Sequence, residues 1–139
     1  MKDAAWELIE AWKIVLLGPV TNSEELLKGE TPVLCRIAEL KKTSPTELAR
    51  HFSLSTARVA TILNQLEKKK YIVRIHDTKD RRKVYVHPTQ TGCEKAAAKM
   101  EELHSKAAAL LEALGEEDAR QYLRLTEKIA QYVRQQLNL

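Results

Sequence analysis

The chain has 139 residues, 44% of them hydrophobic, and a formal net charge of +4. This length suits one compact domain, or one domain with an oligomerisation element, and the hydrophobic content excludes wholesale disorder. Aromatic residues make up only 5% of the chain, so the expected core is aliphatic.

Residues 3–17 are predicted to be helical, because Ala5, Leu8, Ile9, Trp12, Val15 and Leu16 recur at spacings of three and four. Gly18-Pro19 stops or bends that helix, and SEELLK at 23–28 suits a short helix closed by Gly29. Thr31-Pro32 reads as an N-cap followed by a first-turn proline. Val33, Leu34, Ile37, Ala38 and Leu40 give the helix that follows its apolar stripe. Ser44-Pro45-Thr46-Glu47 is a capping box with proline in the first turn, and Leu48, Ala49 and Phe52 form the inner side of a short helix. Ser55 caps the next helix, where Val59, Ile62, Leu63 and Leu66 share one face. That helix is expected to end near Lys69 or Lys70.

Tyr71–Ile75 and Lys83–His87 are β-rich and flank the polar segment DTKDRRKVY, which predicts a hairpin. Pro88-Thr89 ends it and opens a helix over 90–114, with Ala96, Ala97, Met100, Leu103, Ala107, Leu110, Leu111 and Leu114 on its stripe. Gly115 breaks this helix. Glu116, Glu117 and Asp118 favour a new helix start, and Ala119, Tyr122, Leu123, Ile129, Val133 and Leu137 carry a last helix. The fold class expected is mainly α with a small β-hairpin wing, a winged helix-turn-helix over 31–88. It is flanked by an N-terminal dimerisation helix and linker (1–30) and C-terminal dimerisation helices (89–139).

Charge is unevenly placed. Residues 41–83 hold 12 Lys and Arg against 4 Asp and Glu, while the remainder of the chain is net acidic. A basic centre that coincides with a helix-turn-helix pattern is the footprint of nucleic-acid binding. The face of helix 56–69 opposite its apolar stripe carries Ala57, Thr61, Asn64 and Lys68, flanked by Arg58, Ala60 and Gln65. Such a face fits a major groove roughly 12 Å wide, with Asn and Gln suited to adenine and Arg to guanine. Ser44, Ser55 and Thr56, at helix starts, suit phosphates.

Two isolated cysteines, Cys35 and Cys93, make neither a disulfide framework nor a metal knuckle, so a reducing cytoplasm is expected. The opening MKDAAWELIEAWKIVLLGPV has acids within the run that a signal peptide keeps apolar, and no stretch suits a membrane span. His51, His76, His87 and His104 are scattered without a catalytic or metal-binding spacing, so neither an enzyme nor a cofactor is expected. A metal set of Glu30, Cys35 and His104 is the weaker alternative. Cys35 reads as a buried structural thiol. Cys93, in the first turn of a helix, is the candidate redox residue. Trp6 and Trp12 fall near one face and suit a dimer core.

STARVATILNQLEKKKYIVR followed by DTKDRRKVYVHPTQTG resembles the MarR-type winged helix-turn-helix transcriptional regulators. The most specific part is the wing pattern of Asp77, Asp80-Arg81-Arg82, Val84–Val86, Thr89 and Gly92. The resemblance implies a homodimer with intertwined terminal helices on a pseudo-palindromic DNA duplex. In that picture helix 55–69 lies in the major groove and the wing reaches the minor groove. It also implies a repressor released by a small-molecule effector or by thiol oxidation. By the same resemblance Asp80 braces the Arg82 guanidinium, which probes the minor groove, while Lys79, Arg81 and Lys83 supply charge to phosphates. Asp77 is expected to shape the turn through its own backbone. Three positions depart from the family pattern: Lys70 where glycine is usual, Pro88 where leucine is common, and Gly18-Pro19 within the first helix. A helical dimeric adaptor that does not read DNA sequence, and a thiol-based sensor, stand as alternative functions.

Overall fold

The computed structural model describes residues 4, 5 and 29–137. Apart from Ala4 and Ala5, which are helical, the predicted first helix, its Gly18-Pro19 break, both tryptophans and SEELLK lie outside the described residues. The chain divides into two compact units, Met1–Lys99 and Met100–Leu139.

In the first unit, α1 (Glu30–Leu40), α2 (Pro45–Phe52) and α3 (Thr56–Lys68) are followed by β1 (Ile72–His76), β2 (Val84–Pro88) and the start of α4 (Gln90–Leu137). The core is aliphatic. Val33, Leu34 and Ile37 of α1 meet Leu48 of α2, the α3 face of Val59, Ile62, Leu63 and Leu66, then Ile72, Val86 and Ala96. Each fully buried Leu, Ile or Val contributes about 1.5–3 kcal/mol by leaving water.

Local chemistry accounts for most helix boundaries. Ser44 accepts a hydrogen bond from the Glu47 amide at 3.2 Å while the Glu47 carboxylate accepts from the Ser44 amide at 2.9 Å. This is the expected capping box, with Pro45 in the first turn. Ser55 likewise accepts from the Arg58 amide at 3.1 Å and starts α3. Between these helices, Ser53 turns the chain with φ 52, and the Leu54 amide donates back to the Ala49 carbonyl. The start of α1 differs from expectation. Gly29 is its N-cap and makes no side-chain cap bond, so Thr31 and Pro32 lie inside the first turn. Proline is tolerated there because first-turn amides have no partner within the helix.

β1 and β2 pair antiparallel from Ile72↔Pro88 to His76↔Val84. Thr43 adds a short bridge to this hairpin. Its amide donates to the Val86 carbonyl at 3.1 Å, and the Val86 amide donates to the Thr43 carbonyl at 2.7 Å. The buried Thr43 thereby ties the wing to the residues just before α2. The junction into α4 is set by Thr89, whose hydroxyl oxygen accepts from the Gly92 amide at 3.0 Å and donates to the Lys70 carbonyl at 2.7 Å.

α4 is helical on both sides of Gly115, where φ 76 and ψ 165 break the helical geometry as expected. Beyond Lys99 most of the large apolar side chains are exposed in the single chain, among them Met100, Leu103, Leu110, Ile129 and Tyr132. Among the described residues no helix is long and apolar enough to cross a membrane.

Candidate nucleic-acid interface

With Val59, Ile62, Leu63 and Leu66 turned into the core, the helical period leaves the rest of α3 outside. Thr56, Ala57, Arg58, Thr61, Asn64, Gln65 and Lys68 are all exposed, as is Ser55, while Ser44 is half-buried. All the residues expected to read or hold DNA on this helix therefore share its outer face. Besides the Ser55 cap, two side chains are already engaged. The Thr61 hydroxyl donates to the Ala57 carbonyl at 3.1 Å, so its oxygen is left as an acceptor. The Asn64 side-chain carbonyl accepts from Arg74 Nη2 at 2.8 Å.

Arg74 was not among the residues that the sequence singled out. It sits on β1, and its guanidinium also approaches Glu67 at 3.6 Å. Its Nε is buried without a hydrogen-bond partner, a cost of about 1–3 kcal/mol that the surrounding contacts must offset. A charged residue in the strand IVRIH was the available signal, but its α3 partners become visible only once hairpin and helix are packed.

The wing turn is built by its acids. Asp77 Oδ1 accepts from the Lys79 amide at 2.7 Å and the Asp80 amide at 3.2 Å. These two bonds, Lys79 first, hold the Asp77 carboxyl below the usual aspartate range. The Asp77 amide donates to the Lys83 carbonyl and the Lys83 amide to the Asp80 carbonyl, both at 2.9 Å. The expected role of Asp77 as turn former is therefore observed.

The expected role of Asp80 is corrected. Its carboxylate accepts from the Arg82 backbone amide at 3.0 Å, and among the described residues no ion pair joins it to the Arg82 guanidinium. A carboxylate two residues before an amide closes a local turn more readily than it reaches a long side chain directed outward. Lys79, Arg81, Arg82 and Lys83 are all exposed, so the tip presents four cations on a backbone tied by two aspartates. At the wing base, Lys42 Nζ lies 4.1 Å from the centre of the Tyr85 ring.

Both cysteines are half-buried, so Cys35 is less enclosed than the buried thiol expected, and their surroundings differ. Cys35 Sγ lies 3.8 Å from the Ala96 carbonyl, and burial pushes its thiol pKa up. Cys93 is half-buried and accepts from Lys41 Nζ at 3.6 Å. Among the described residues no group of three or more His, Cys, Asp or Glu could hold a metal ion. The Glu30 carboxylate instead accepts from Lys69 Nζ at 2.6 Å.

This geometry has known counterparts. YetL of Bacillus subtilis, an HTH-type transcriptional repressor, is 26% identical over 102 residues, which cover 72% of this chain and 61% of that protein. The chain thus spans less than two thirds of the curated relative it matches. YusO of Bacillus subtilis has the same fold with a TM-score of 0.72 at 24% identity, covering 94% of this chain and 98% of that one. FabT of Streptococcus pneumoniae, solved in complex with DNA, gives a TM-score of 0.69 at 19% identity, with coverage of 96% and 92%. MarR of E. coli, in its reduced form, gives 0.69 at 19% identity, with coverage of 91% and 94%. The model describing the MarR family matches residues 28–84, the segment that holds α1, the helix-turn-helix and the wing turn, and over that segment the chain is similar to the family.

Proposed function

We propose that this chain is a cytoplasmic, sequence-specific DNA-binding transcription regulator that acts as a homodimeric repressor. The observation that carries this reading is the outer face of α3. It exposes Arg58, Asn64, Gln65 and Lys68, and the wing tip exposes four more cations. Glu67 is the single acid between Leu48 and Ile75. A helix face of this kind reads base edges in a major groove, and the cations neutralise phosphates. The repressor name of YetL and the DNA bound to FabT support the same reading.

The homodimer is supported by the apolar residues exposed along α4 beyond Lys99, with Ile129 at 54% and Tyr132 at 64%. A row of this kind needs cover, and a second copy offers a matching one. A small-molecule effector has a candidate place in a cavity of about 250 Å³ lined by Glu30, Cys35, Lys69, Tyr71 and Lys95 among others. The thiol-sensing alternative draws on the half-buried Cys93 and its 3.6 Å contact with Lys41 Nζ.

Selection of duplexes from a random pool tests the central reading. A motif is expected to be enriched, with affinity falling steeply as salt rises. Failure to enrich any motif, with a shallow salt slope, identifies the chain as an adaptor. Light scattering at micromolar concentration tests the dimer, and a stable monomer overturns it.

A further inference from the structure

The contact between β1 and α3 constrains what Asn64 can say to a base pair. A guanidinium only donates hydrogen bonds, so the Asn64 atom 2.8 Å from Arg74 Nη2 is the carbonyl oxygen. The partnership is anchored on both sides. Asn64 and Glu67 stand three residues apart on α3, and Arg74 Nη1 lies 3.6 Å from the Glu67 carboxylate. Arg74 itself is only about a quarter exposed, its side chain at 27%, whereas Asn64 is exposed. The amide group is thereby turned with its oxygen to the wing and its NH₂ free.

An unconstrained asparagine reads adenine with both ends of its amide, giving a proton to N7 and accepting one from the N6 amino group. An asparagine whose oxygen already accepts from a guanidinium has one of its two lone pairs taken and its amide turned toward the wing, which weakens the accepting half of that pair. What stays fully available is a nitrogen with two N–H donors. The major-groove edge that answers two donors is guanine, which presents acceptors at both N7 and O6. We propose that Arg74 is the specificity-determining partner of Asn64 and converts it from an adenine reader to a guanine reader. The inference rests on the reading of α3 as the recognition helix.

The test is duplex selection with the wild-type protein and with Asn64→Ala, Arg74→Met and Arg74→Lys, each checked for native circular dichroism. Asn64→Ala identifies the base position that residue 64 reads, where its preference flattens. The wild type is expected to select guanine there, and 7-deazaguanine, which lacks the N7 acceptor, to weaken binding roughly tenfold. Arg74→Met frees the amide and is expected to move that single position toward adenine. Arg74→Lys keeps a charged donor and is expected to retain guanine. Adenine in the wild-type motif overturns the proposal. So does an Arg74→Met profile that keeps guanine while Asn64→Ala erases it, which makes Arg74 a wing-root strut and leaves the recognition helix intact. An Asn64→Ala profile unchanged at every position overturns the assignment of α3, and the proposal with it. Should Arg74→Met fail to fold, the 7-deazaguanine and Arg74→Lys results decide alone.

Discussion

The backbone carbonyl of Tyr71 occupies the space that a Cβ on Gly92 would take. Gly92 is buried in the first turn of α4, and Tyr71 lies between α3 and β1, so this approach locks the end of α3 to the helix that follows the wing. Gly92→Ala forces one backbone against the other. A loss of about 2–3 kcal/mol is expected, the cost of overpacking a site that cannot relax by a side-chain rotation. Urea unfolding monitored by circular dichroism measures it, and a midpoint equal to wild type contradicts the geometry.

Lys70 stands next to this lock with φ 61, a left-handed conformation that favours glycine. An L-residue there is strained by roughly 1 kcal/mol. Lys70→Gly is therefore expected to stabilise the protein by about 0.5–1 kcal/mol, the gain being trimmed by the larger backbone entropy of glycine in the unfolded chain. A thermal melt is expected to shift upward by a few degrees. A downward shift means that the lysine side chain outweighs its own backbone strain.

Asp80 provides a test in which two physical effects have opposite signs. If its negative charge only opposes DNA phosphates, Asp80→Ala strengthens binding. The structure makes its carboxylate the acceptor for the Arg82 amide, so removal loosens the segment that carries Arg81, Arg82 and Lys83. Binding is expected to weaken roughly fivefold, about the worth of one such hydrogen bond. Fluorescence anisotropy with a selected duplex at fixed ionic strength gives the sign. Asp77→Ala, which releases two amides, is expected to weaken binding further.

Acid stability follows from Glu47. The Thr43 hydroxyl donates to its carboxylate at 2.9 Å. That bond first, and the Ser44 amide second, hold its carboxyl below the usual glutamate range. Because the folded state lowers this pKa, the stabilisation is complete above the ordinary glutamate value of about 4.3 and is lost as pH falls toward the depressed one. Glu47→Gln is expected to lower stability at neutral pH and to leave a flatter acid limb in urea midpoints measured between about pH 6 and pH 3. Identical limbs for variant and wild type sink this assignment.

Local interactions are what a sequence displays, and this one displayed them well at Ser44–Glu47, at Ser55, at Asp77 and at Gly115. In each case the deciding partners lie within four residues or the cause is the residue's own backbone freedom. Where two local signals competed, the reading slipped. Thr31-Pro32 looks like a cap, yet α1 begins at Glu30 with Gly29 before it, since proline is acceptable anywhere in a first turn. Asp80 was matched to the Arg82 guanidinium by family resemblance, whereas its carboxylate accepts from the nearer Arg82 amide.

By itself, then, the sequence determined the order of elements, the buried face of α3 and the concentration of cations at the centre of the chain. Each of these follows from periodicity, capping or composition. Tertiary structure alone decided that Thr43 pairs with Val86, that Tyr71 excludes a side chain at Gly92, and that Arg74 holds Asn64. Those pairs are separated by 43, 21 and 10 residues. Their bonds exist only after hydrophobic burial has brought α1, α3 and the hairpin together, because hydrogen bonds at such separations are too weak to close the intervening loops unaided.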